Sequence, residues 1–178
     1  MNLPNKLTIL RILLVPFMMI FYMNGAPIIA TIIFLVSSFT DMLDGYYARK
    51  YGLITNFGKI MDPLADKILV ITAFVLLVEQ GIVAGWILTV ILAREFIVSG
   101  LRMVAAAEGI VIAAGISGKI KTVTQMIAIP LLMLNNWPGY LFNVRLDMIF
   151  LWICLVMTVI SGVEYVYKNR KVFLRDGC

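Results

Sequence analysis

The sequence predicts an all-α integral membrane protein with six transmembrane helices and both termini in the cytoplasm. Three observations predict it. Hydrophobic residues make up 62% of the 178 residues and charged ones 14%, against roughly a quarter charged in an ordinary soluble domain. The apolar residues come in blocks of about 20, the length that crosses a hydrocarbon core of roughly 30 Å. Lysine and arginine gather in every second connection, which is the positive-inside pattern.

The spans follow in order. The first, 7–23, starts beside Lys6 and carries Arg11; it ends at the turn "MNGAP". The second, 27–47, runs into a polar stretch with Arg49 and Lys50 and the break "YGLITNFG". The third, 60–80, follows Lys59 and closes at "EQGIVAG". The fourth, 85–107, carries Arg94 and Arg102, and its end is vague because 103–117 is itself apolar. The fifth, 118–136, opens with Lys119 and Lys121 and stops at "NNWPGY". The sixth, 146–167, is followed by Lys168, Arg170, Lys171 and Arg175. The glycine, proline and asparagine of these breaks are helix punctuation. "MNGAP" and "EQGIVAG" hold no basic residue and the fifth connection only Arg145. Threaded in and out, the helices place every basic cluster on one side. No repeat or linker is visible, so 1–178 is expected to be one domain. No cleavable leader is evident at the start.

Composition removes some chemistries. Histidine is absent, so proton transfer near neutral pH falls to carboxylates, lysine, tyrosine or metal-bound water. Cys154 sits in an apolar run and Cys178 at the end, without partner spacing; no disulfide is expected. The net charge of +5 is explained by topology, so nucleic acid is not an expected partner.

Four carboxylates are out of place in such a chain. Asp41 and Asp44 are three residues apart at the end of span two, and Asp62 and Asp66 four apart at the start of span three. Each pair shares a helix face. Two antiparallel helices joined by a short loop bring all four together, where they repel unless cations intervene. Hard divalent ions suit such oxygens, and Mg²⁺ favours carboxylates combined with substrate phosphates. Paired ions suit phosphoryl displacement, because they stabilise attacking and leaving oxygens together. Gly45, Ala48 and Arg49 add small residues and a fixed cation for phosphate, and Gly58 stands one turn before Asp62. One or two of these acids could be loop charges paired with Arg49, Lys50 and Lys67; four in helical register argue for a site.

The spacing D-x2-D-G-x2-A-R-x8-G-x3-D-x3-D, filled by Asp41, Asp44, Gly45, Ala48, Arg49, Gly58, Asp62 and Asp66, resembles the signature of the CDP-alcohol phosphotransferases. The resemblance covers essentially the whole chain. It implies six membrane helices, a homodimer, and transfer of a phosphatidyl group from CDP-diacylglycerol to an alcohol with release of CMP. It further implies that Asp41, Asp44, Asp62 and Asp66 hold Mg²⁺ or Mn²⁺, two ions in all, and that Asp66 is also the base. Gly45, Ala48, Arg49, Thr55 and Gly58 would hold the CDP-diacylglycerol, joined by Asn5 and Thr8 of an N-x-L-T-x-x-R stretch.

"NLPNKLTILR", "ILAREFIVSGLR" and "GKIKTVTQM" resemble the branch of that family whose acceptor is glycerol 3-phosphate. Arg94, Arg102, Lys119 and Lys121 supply cations that a phosphate-bearing acceptor needs and a neutral alcohol does not. Membrane anchoring is the plain alternative for Arg102, Lys119 and Lys121, and a structural pair with Glu95 for Arg94. Serine, inositol phosphate or phosphatidylglycerol as acceptor is the runner-up. A divalent-cation transporter is the rival from another class, but it needs acids at midplane depth along several spans. Pro63 is read as bending or starting span three, and Arg145 and Asp147 as loop charges.

Overall fold

The computed structural model describes residues 3–50, 56–107, 109, 112, 115–135 and 144–170; the side chains of 3–6, 41–50, 56–57, 59–60 and 107 fall outside that description. The described residues form six α-helices and no strand: α1 Leu3–Met23, α2 Pro27–Lys50, α3 Asn56–Glu79, α4 Gly85–Ala107, α5 Ile116–Met133 and α6 Leu146–Lys168. Each predicted span corresponds to one helix. α1, α3 and α5 start earlier than the apolar blocks, and α2 and α6 run further, because backbone hydrogen bonding continues past the apolar residues; α5 ends at Met133, three residues short of the expected end. Pro63 neither starts α3 nor precedes it: the helix begins at Asn56, about two turns upstream.

The breaks have local causes. Gly25 and Gly81 take the left-handed conformation, at φ +76° and +69°. After α1, the Gly25 amide donates to Tyr22 O and the Ala26 amide to Phe21 O; after α3, Gly81 donates to Val78 O and Ile82 to Leu77 O. Both are Schellman closures, which satisfy the last carbonyls and need a residue without Cβ strain at that point. Pro27 then opens α2, where a missing N–H costs nothing.

The closest helix pairs are α5 with α6, α1 with α2 and α3, and α4 with α6. Met18, Ala30, Phe34, Leu69, Ala73, Phe74, Ile91, Ala128, Ile129 and Leu132 form the main buried cluster. Cys154 is buried as a small apolar residue. Much of the outer surface is apolar too: Phe17, Ile28, Phe39, Phe96, Met103, Trp152 and Val163 are all more than half exposed. α6 is long and apolar enough to cross a membrane, whereas the apolar runs described within α1 and α2, Leu7–Met23 and Pro27–Thr40, are shorter.

Arg145 is an exposed charge just before α6, as expected of a loop residue, but Asp147 is not a loop charge. Asp147 lies in the first turn of α6 and is only 1% exposed. Arg145 grips it through two hydrogen bonds, Nε to Oδ1 at 3.1 Å and Nη2 to Oδ2 at 3.0 Å. A carboxylate there also meets the positive end of the helix dipole.

Candidate active site

Contacts between helices fix which ends meet. Trp86 near the start of α4 lies 6.1 Å from Trp152 in the first half of α6, and Arg102 near the end of α4 reaches Tyr165 near the end of α6. These two helices therefore run in the same direction. Thr8 of α1 donates to Asp62 of α3, again start to start. The starts of α3 and α5 and the end of α4 line one cavity. The starts of odd helices and the ends of even ones thus meet at one end of the bundle.

Asp62 and Asp66 project from α3 at that end. The Thr8 hydroxyl, fully buried, donates to Asp62 Oδ1 at 2.5 Å. Gly58, one turn earlier, is buried as well. Asp41, Asp44, Gly45, Ala48 and Arg49 lie on the last turns of α2, five residues of chain before α3 begins, but their side chains are outside the described set. Asn5 has the same standing on α1, and Thr55 is outside altogether. Among the described side chains no three His, Cys, Asp or Glu converge. The donors available are hard carboxylate oxygens, and α2 and α3 pack on each other; this set fits Mg²⁺ or Mn²⁺ rather than a soft ion.

Asp66 opens onto a cavity of about 1040 Å³ between α3, α4 and α5. Five cationic side chains line it with Asp66: Lys67, Arg94, Arg102, Lys119 and Lys121. Its deeper wall is apolar, with Val70, Phe74, Leu88 and Ile91. A polar mouth over an apolar floor suits an amphipathic ligand with an anionic head.

The four cations singled out from sequence are brought to this one cavity, but they are not equivalent. Lys121 is buried, 4% exposed, and its ammonium is 2.5 Å from Glu95 Oε1; it is no surface anchor. Arg94 Nη1 meets the same oxygen at 3.1 Å, and its Nε donates to Ser161 Oγ of α6 at 3.1 Å. Two glycines leave room for Arg94, Gly162 beside its stem and Gly118 beside its guanidinium. A Cβ on Gly162 would stand 3.1 Å from Arg94 Cγ, and one on Gly118 3.4 Å from Nη2. Arg94 therefore both pairs with Glu95 and lines the cavity. Arg102 donates to the Tyr165 hydroxyl at 3.3 Å and stacks over its ring, 5.5 Å from the centroid. Lys119 is exposed at the mouth.

The family model for CDP-alcohol phosphatidyltransferase matches residues 1–160. The chain belongs to that family. Among curated CDP-alcohol phosphatidyltransferases, a Bacillus subtilis protein named CDP-diacylglycerol–glycerol-3-phosphate 3-phosphatidyltransferase is 44% identical over 183 residues, covering 94% of this chain and 95% of its own. Proteins of the same name from Rickettsia felis and Haemophilus influenzae are each 39% identical, over 176 and 172 residues. The first covers 97% of both chains; the second covers 92% of this chain and 91% of its own.

Several residues around this cavity carry no mark of a site in the sequence. Lys67 was grouped with loop charges that offset the aspartates; its ammonium instead bonds the Ser99 hydroxyl on α4. Ser161, Gly162 and Tyr165 stood in an apolar span with nothing to distinguish them.

Proposed function

We propose that this protein transfers the phosphatidyl group of CDP-diacylglycerol to glycerol 3-phosphate, forming phosphatidylglycerophosphate and releasing CMP. The observation that carries this reading is one cavity lined by Asp66, Glu95 and five cations, an excess of positive charge. The names of relatives aligned over nearly the full length support it.

The whole chain acts as one domain, multi-pass in the cytoplasmic membrane, with the aspartate end and both termini on the cytoplasmic side. Lipid covers the exposed Phe17, Phe39, Phe96 and Trp152, which would otherwise be an aggregation surface. The working unit is a homodimer, as the family resemblance implies. Asp41, Asp44, Asp62 and Asp66 hold two divalent ions, Mg²⁺ or Mn²⁺. Bound there, the ions would withdraw charge from the diphosphate of the donor lipid.

The chain's own groups do the rest. Gly45, Ala48 and Gly58 leave room for the nucleotide, and Arg49, with Thr55 and Asn5, holds it and its phosphates. Arg102, Lys119 and Lys121 hold the acceptor phosphate, with Arg94 bracing Glu95 behind Lys121. The free terminal hydroxyl of the acceptor then points at Asp66. Asp66 takes its proton as the oxygen attacks the lipid-bearing phosphorus, and the bond from that phosphorus to the CMP oxygen breaks. Holding both reactants in one orientation removes much of the entropic barrier.

The test is CMP release by purified protein given CDP-diacylglycerol, Mg²⁺ and one alcohol at a time. Turnover with glycerol 3-phosphate and not with serine, inositol phosphate or phosphatidylglycerol is the expected result; turnover with another alcohol alone reassigns the acceptor.

A further inference from the structure

Thr8 is 54 residues from Asp62 in the chain and on a different helix, yet its hydroxyl donates to Asp62 Oδ1 at 2.5 Å. The other helical threonines give a background. Thr31, Thr89, Thr122 and Thr158 each donate to the carbonyl four residues back on their own helix. That is the ordinary use of a helical threonine, local and without long-range consequence. The Thr8 bond is of another kind: it crosses from α1 to α3 and ends on a carboxylate that we read as a metal ligand. Thr8 is fully buried, so water does not compete for its proton.

We infer that Thr8 is a positioning residue for the metal site, acting through Asp62 rather than by touching the nucleotide. This rests on the proposal that Asp62 ligates a divalent ion. An ionised carboxylate only accepts hydrogen bonds and has lone pairs on both oxygens. One occupied by a short bond from a buried hydroxyl restrains the rotation of the group and leaves the other lone pairs for an ion. The β-branched Thr8 is itself stiff about its first side-chain torsion, so the donor holds its place. Outer partners of this type orient ligands, and losing one typically lowers metal affinity by about 10- to 100-fold.

The experiment titrates Mn²⁺ into purified protein in detergent without substrates and follows the free ion by electron paramagnetic resonance. Thr8→Val keeps the shape and removes the donor; Thr8→Ser keeps the donor. Val should weaken Mn²⁺ binding about 10- to 100-fold, and Ser should bind close to wild type. Should Val fail to fold, Thr8→Ala set against Thr8→Ser makes the same comparison, since that pair differs by one hydroxyl. Wild-type Mn²⁺ affinity in Val or Ala overturns the inference. So does a raised KM for CDP-diacylglycerol with Mn²⁺ binding unmoved, which would put Thr8 on the nucleotide. Absence of Mn²⁺ binding by the wild type would instead remove the metal proposal itself, and the inference with it.

Discussion

Asp66 is the proposed base because, among the described residues, it is the aspartate of the motif that lines the cationic cavity. Asp66→Asn should lower kcat by about 10²- to 10⁴-fold, the usual loss on removing a general base, while CDP-diacylglycerol still binds. Single-turnover kinetics alongside a lipid-binding assay checks this, and near wild-type turnover would refute the role. The cations make a second prediction at this scale. Arg102→Ala or Lys119→Ala should raise KM for glycerol 3-phosphate by roughly 10- to 150-fold, the equivalent of a charged hydrogen bond of about 1.5–3 kcal/mol. KM for CDP-diacylglycerol should hardly move. Varying each substrate in turn decides it, and equal effects on both would return these residues to membrane anchoring. The aspartate pattern was legible in sequence because i,i+3 and i,i+4 spacing on a helix is geometry in itself. The state of Arg94 was not: its surroundings depend on α5 and α6, more than twenty residues away in the chain, and in the structure it pairs with Glu95 while also lining the cavity.

At the scale of the element, helix existence was readable and helix contacts were not. The six apolar blocks and their Gly and Pro breaks marked α1 to α6, since a left-handed glycine and an opening proline act locally. Which glycines serve packing cannot be told from a one-dimensional pattern. Gly162 of α6 and Gly100 of α4 look alike in sequence, but a Cβ on Gly162 meets Arg94 Cγ at 3.1 Å while one on Gly100 meets nothing within 4 Å. Gly162→Ala should therefore displace Arg94 and cost about 1–3 kcal/mol as an overpacked contact, with a raised KM for the acceptor. Gly100→Ala should be neutral or stabilising by up to about 1 kcal/mol, since alanine is the better helix former. Thermal unfolding in detergent with acceptor kinetics compares the two, and equal behaviour would remove the proposed slot. Asp147 was misread for a similar reason. Its neighbours in sequence suggest a loop, but Arg145 folds onto it and the start of α6 buries it.

The described helices form a bundle with Asp62, Asp66 and the cavity's cations at one end, the Arg145–Asp147 pair at the other, and apolar sides. That arrangement follows from alternate threading, in which starts of odd helices and ends of even ones coincide, and the contacts Thr8–Asp62 and Arg102–Tyr165 agree with it. Orientation in the membrane is then a prediction for labelling in sealed cells, with Cys154 and Cys178 replaced. Asn24→Cys should react with an impermeant maleimide, and Asn56→Cys only after permeabilisation; the reverse would invert the topology. The central claim is that the Asp66 cavity selects a phosphate-bearing acceptor for a phosphatidyl group. The most direct measurement is CMP release from CDP-diacylglycerol by purified wild-type protein with Mg²⁺ and, in separate reactions, glycerol 3-phosphate and glycerol. The two acceptors share the attacking hydroxyl and differ in the phosphate that the cations would hold. Rapid release with glycerol 3-phosphate and little with glycerol is the predicted result. Equal release with both, or none with glycerol 3-phosphate, would contradict it.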